Sequence, residues 1–162
     1  MMNEFLAEAD VIKAADAPQD AAAGVTGARI DMDLSHRIAI VISVGSSAAS
    51  TVALDLLQHD AASAGNSKAL QIENRYFVKA GAAIKYSAFD LEGSPASTID
   101  ASTALSTDEG ILIVEVLAED LDREGGFTHL SADLQAAGTA KIASVVYHGH
   151  KSYRKPAYDQ DA

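Results

Sequence analysis

Cysteine is absent from the 162 residues, which excludes disulfides and thiolate metal sites and leaves the redox compartment open. Tryptophan is absent too, and aromatics make up only 6% of the chain. A sugar- or ligand-binding sheet generally presents exposed aromatics on a concave face, so this scarcity argues against a ligand-binding β-sandwich module. Positive charge is also scarce. Twelve Lys and Arg stand against 23 Asp and Glu, for a net charge of −11, so a polyanion such as DNA would be repelled and no nucleic-acid partner is expected. No apolar stretch approaches the roughly 18 residues of a membrane span, and the longest, 38–44, is interrupted by Ser43, so no membrane partner is expected either. Residues Met1 to Phe5 lack a basic region followed by an apolar one, so no secretory signal is expected.

What is present is a succession of short β patterns. Ile30, Met32 and Leu34 alternate with Asp31, Asp33 and Ser35, the period of two that marks a strand with one buried face. Residues 38–44 are rich in β-branched side chains and suit a central strand. Val52, Leu54 and Leu56 alternate with Thr51, Ala53 and Asp55. Shorter strands are expected at 70–72, 76–78 and 86–91, with turns at 80–82 and 93–97 and one more edge strand within 97–108. Residues 111–117 are almost all aliphatic, and Leu130, Ala132 and Leu134 alternate with Ser131, Asp133 and Gln135. Ala137-Gly138-Thr139 reads as a tight turn, which predicts that the last strand, 142–147, pairs with the strand before it. About eight strands with no long amphipathic helix indicate an all-β fold, an antiparallel β-sandwich or jelly roll. The organisation expected is an N-terminal arm at 1–23, a sandwich domain at 24–147 and a polar C-terminal tail at 148–162. Pro18 among the alanines of the arm argues against a continuous helix there.

Chemistry-bearing patterns are thin. The acidic stretch from Glu119 through Asp120, Asp122 and Glu124 to Gly125-Gly126 offers oxygen ligands, but position twelve from Asp120 is Ser131 and Arg123 would repel a cation, so it reads as a solvated turn. His148 and His150 would share one face of a strand, yet nothing draws His36, His59 or His129 to them, and no metal site is expected. Gly45-Ser46-Ser47 lacks the second glycine of a nucleophile elbow. No Gly-x-Gly-x-x-Gly or phosphate loop occurs, so no cofactor and no enzymatic activity are expected. Lys151, Tyr153, Arg154 and Lys155 form the basic cluster of the tail, offset by Asp159 and Asp161, and suit docking on an acidic neighbour.

The aliphatic Ile111-Leu112-Ile113-Val114-Glu115-Val116, followed by Ala118-Glu119-Asp120-Leu121-Asp122 and then Gly126-Phe127, resembles a pattern in small virion structural proteins of tailed bacteriophages. The closing 140–147 segment with Tyr153-Arg154 is similar to the same pattern, as are Val25-Thr26-Gly27, 38–44 and Val78-Lys79-Ala80-Gly81-Ala82. The resemblance spans roughly residues 9–154. It implies a viral structural protein of the capsid decoration, or cement, type, bound to the major capsid protein on the outside of the shell after assembly in the host cytoplasm. It also implies a homo-oligomer, a dimer or trimer; a neck or tail component of the virion is the alternative within the same group. Arms that add strands or lay apolar residues on a neighbour are the natural means of joining subunits. The interface residues expected on this basis are Phe5, Leu6, Val11 and Ile12 in the arm and Tyr153, Arg154 and Tyr158 in the tail.

Overall fold

The computed structural model describes residues 13–14, 18–33, 35–91 and 93–151. Two antiparallel sheets form around one core, an all-β sandwich. Six strands are of substantial length: β4 (Ser35–Val44), β5 (Ala53–His59), β7 (Tyr76–Ala80), β10 (Gly110–Leu117), β11 (His129–Leu134) and β12 (Ile142–Lys151). Six more are pieces of two or three residues: β1 (Lys13–Ala14), β2 (Gln19–Asp20), β3 (Ile30–Asp31), β6 (Ser67–Ala69), β8 (Ser87–Phe89) and β9 (Thr98–Asp100). One helical turn, α1 (Ser102–Leu105), follows β9.

The larger sheet runs β1–β12–β4–β10–β7–β8, with β2 also on β12. The smaller runs β3–β11–β5–β6, with β9 also on β5. The two aliphatic runs are neighbours: β10 pairs with β4 over its whole length, Val114 opposite Ile40 and Leu112 opposite Ile42. Their inward side chains are fully buried and meet Leu54 and Leu56 of β5 and Leu130 and Ala132 of β11. Burying each such side chain contributes about 1.5–3 kcal/mol.

Several expectations are revised by tertiary packing. The strand at 142–147 does not pair with the one before it. β12 lies against β4 and β11 against β5, in opposite sheets, so the Gly138 turn carries the chain from one sheet to the other. The backbone amides of Ala137 and Gly138 bond to the carbonyls of Ala21 and Ala22, which lie between the sheets' edges and hold the crossing in place. The alternation from Ile30 stops at Asp31. There the Asp31 carboxylate accepts the amide of Asp33 at 2.8 Å, a local turn that competes with strand continuation. Leu70 and Ile72 are core residues, Ile72 forming a single bridge with Ala96, while the short strand falls just before them, at β6.

The N-terminal segment closes one edge of each sheet. β1 and β2 bond to the outer edge of β12, Val25 bridges to Leu134, and β3 pairs with the outer edge of β11. Between the last two contacts the edge of β11 has a gap, filled from across the core. The Ala132 amide donates to the Tyr147 hydroxyl at 3.0 Å. Gly27 passes directly over this point, and a Cβ there would fall on the Ala132 carbonyl and the Tyr147 hydroxyl. The span read as the arm thus includes β1 and β2, and β12 continues four residues into the span read as the tail.

Candidate interface

Outward positions of a two-layer antiparallel sheet are normally polar. On the larger sheet they are not. Val146 lies opposite Val41, Val41 opposite Ile113 and Ile113 opposite Phe77, so four apolar side chains form one row across β12, β4, β10 and β7. All four are half-buried by their neighbours, with their tips on the surface. The rows on either side are mixed: Ser144, Ser43, Ile111 and Lys79 on one, His148, Ala39 and Glu115 on the other. At the β7 end the row meets an open polar cleft of about 480 Å³, lined by Glu73, Asn74, Arg75, Phe77, Asp90 and Glu115. Two ion pairs rim it, Arg75–Asp90 at 3.5 Å and Arg37–Glu115.

Beyond β7 the sheet ends at β8, and every residue from Ala82 to Asp90 is exposed. Three of the four large exposed apolar or aromatic side chains among the described residues lie here: Ile84 at 93%, Tyr86 at 45% and Phe89 at 39%. Phe89 stacks on Tyr76 with ring centroids 4.9 Å apart, an offset pair worth about 0.5–1.5 kcal/mol beyond the area it buries. Lys79 Nζ sits 6.0 Å from the centre of the Tyr86 ring. Among the described residues no strand pairs with the outer edge of β8. An edge strand with free amides and carbonyls is a template for another chain.

Two buried polar clusters bring together side chains of chemically capable types. His59 on β5 faces His129 on β11, and its Nε2 lies 2.9 Å from the Ser131 hydroxyl. Ser131 in turn donates to Asp133 at 3.3 Å, and the second carboxylate contact is the Gly27 amide at 3.0 Å. This assigns the proton to His59 Nε2, with Nδ1 left as a buried acceptor without a partner. A hydrolytic triad needs the carboxylate on the histidine and an accessible serine. Here the carboxylate is on the serine, and His59 and Ser131 are both buried. Burial holds the His59 pKa below its ordinary value, reinforced by Arg29 and His129 and opposed by Asp133 and Asp60. The cluster ties β5, β11 and the Gly27 turn together.

Lys141, also buried, directs its ammonium at Ser47 Oγ at 3.1 Å and at the carbonyls of Ser106 and Asp108, both at 3.4 Å. Burial lowers its pKa, partly offset by Asp108. Ser47 donates its own hydrogen to the Ala48 carbonyl at 2.7 Å, so a lone pair faces the ammonium and the geometry is that of a cross-link between three loops.

The acidic turn is internally committed. Asp120 accepts the Leu117 amide at 2.8 Å, while Asp122 accepts the Gly125 amide at 2.9 Å and pairs with Lys68, which also sits 4.5 Å over the Phe127 ring. Burial raises the Asp120 pKa and the Lys68 bond lowers that of Asp122. Among the described residues no group of three metal-ligating side chains converges.

Phe5, Leu6, Val11, Ile12, Tyr153, Arg154 and Tyr158 lie outside the described residues. The points from which their segments depart are adjacent. β1 is antiparallel to β12 with Lys13 opposite Tyr147, so the chain before Lys13 and the chain after Lys151 leave from the same end of the same edge. The apolar row and the β8 patch were missed at the level of sequence, although a signal existed. Runs 38–44 and 111–117 are nearly continuous in apolar residues and not alternating, which means that both faces of those strands are apolar. No protein-family model, curated protein or solved structure matches the chain.

Proposed function

We propose that this chain is a bacteriophage virion structural protein, a capsid decoration subunit that binds the outer shell through protein–protein contacts and has no catalytic role. The observation that carries the reading is the apolar row Val146–Val41–Ile113–Phe77 on the outer face of a rigid sheet. Such a row is costly in water and is accounted for when another protein covers it. The resemblance noted above adds support. Its C-terminal segments follow one another along the chain through strand β10, the acidic turn, β11 and β12, and its upstream segments include strand β4 and the end of β7. On this reading the arm residues Phe5, Leu6, Val11 and Ile12 and the tail residues Tyr153, Arg154 and Tyr158 supply further contacts at the margin of the face, and the major capsid protein is the partner beneath it.

Immunogold labelling of phage particles produced from the genome that encodes this chain tests the proposal. Label distributed over the head is the expected result. Label confined to the neck or tail would move the role within the virion, and particles without label would refute it.

A further inference from the structure

The two ends of the larger sheet are unlike, and the chain supplies a segment that suits the open one. We infer that residues 1–12 of one copy add a strand to the exposed edge of β8 in a neighbouring copy, linking subunits head to tail. The inference rests on reading the chain as an assembly subunit.

Three observations point to this occupant. The first is pattern. Phe5, Ala7, Ala9 and Val11 fall on one face of an extended segment, and Glu4, Leu6, Glu8, Asp10 and Ile12 on the other. The β8 edge presents a matching pair of faces: Phe89 against Tyr76 on one side, Lys79 over Tyr86 on the other. A strand added there sets its apolar face beside Phe89 and brings Glu8 and Asp10 of its mixed face beside Lys79. Charge complementarity of this kind fixes which partner binds and in which register. Lys85, in the exposed turn before β8, adds a second positive group.

The second is position. The arm departs from Lys13 at the β12 edge, and β8 lies at the other end of the strand order. Five strand spacings of about 4.8 Å separate them, roughly 24 Å. Crossing that width within one copy would use about seven residues at about 3.3 Å each, leaving about five, so Glu8, Asp10 and Val11 would lie in the crossing and not along β8. A neighbour's β8 imposes no such detour.

The third is the state of the edge itself. All three residues of β8 are exposed, and Phe89 in the strand and Tyr86 just before it stay at the surface, where they offer apolar contacts to an incoming chain. A contact between unlike surfaces is heterologous, so it propagates until a ring closes.

The test is sedimentation analysis of the full chain, of a chain lacking residues 1–12, and of the edge variant Ile84→Glu/Tyr86→Glu, whose two sites are exposed enough to leave folding intact. The full chain is expected to self-associate, with the association constant falling at least roughly tenfold, about 1.4 kcal/mol, in either variant. Mixing the two variants is expected to give a one-to-one complex at concentrations where neither associates alone, because each retains the half the other lacks. A second variant pair guards the result: Lys79→Glu/Lys85→Glu weakens association, and Glu8→Lys/Asp10→Lys in the partner restores it. A full chain that stays monomeric, a truncated chain that associates like the full one, or variants that fail to complement would each overturn the inference. The same samples, added to empty shells, separate the two claims. A monomer that coats shells keeps the decoration role and removes the arm exchange; self-association without shell binding does the reverse.

Discussion

At one end of the larger sheet, β12 is ten residues long and its outer edge is bonded by β1 and β2. At the other end, β8 is three residues long, exposed throughout, and among the described residues borders only β7. Both ends belong to one hydrogen-bonded ladder, so backbone geometry does not distinguish them. The difference lies in what the side chains cover. β12 sends Ala143, Val145 and Tyr147 into the core between the sheets, whereas β8 buries none of its residues and is held by its ladder to β7 and the Tyr76–Phe89 stack. One end serves stability and, on the proposed reading, the other serves binding, and that division can be broken or sharpened by mutation.

The largest contrast is expected between the middle of the sheet and its free end. Leu112→Ala opens a cavity at a fully buried position and is expected to cost about 2–5 kcal/mol in urea unfolding. Ile84→Ala at the free end is expected to change stability by no more than about 0.5 kcal/mol in the same measurement. Comparable losses at both sites would mean that the 82–90 stretch is core.

Tyr147→Phe tests the closed edge. Removing the hydroxyl leaves the buried Ala132 amide without its acceptor, an expected cost of about 1–3 kcal/mol. Gly27→Ala attacks the same junction by sterics and is expected to destabilise as well. If either variant melts like the wild type, the N-terminal segment does not seal β11 as described.

A smaller effect is expected from pH. In the unfolded chain His59 takes up a proton near its ordinary value of 6.5. In the folded chain, burial pushes that event to lower pH. Between the two values the unfolded state binds more protons, so stability is full above about pH 6.5 and falls as the pH drops through the window below it. His59→Gln is expected to flatten the decline in melting temperature on acidification, leaving the slope due to the remaining titrating groups. An unchanged slope would remove His59 from the account.

The framework was legible from the sequence where side-chain pattern and burial agree. The β-branched run at 38–44 and the aliphatic run at 111–117 became the central pair β4 and β10, and the alternation from Val52 became β5. Sheet membership was not legible. A glycine turn such as that at Gly138 has the same local chemistry whether it closes a hairpin or carries the chain between sheets, and only the packing of Tyr147 and Val145 against the facing sheet separates the two. The short edge strands were equally obscure, because three residues of β8 are too few for a period of two to reveal which face is covered. The apolar row was written in the sequence as the absence of alternation, but that feature also suits a strand buried on both sides within its own chain. Deciding between these needed the sheet order.

The central claim, that the β8 edge is kept open for a protein partner while the β12 edge is closed by the chain itself, is tested most directly by amide hydrogen exchange in dilute free protein and in assembled particles. Peptides covering 82–90 are expected to exchange quickly in the free protein and to become protected on assembly, with those covering 142–147 slow in both. Exchange at 82–90 that is equally fast in both states would contradict the account.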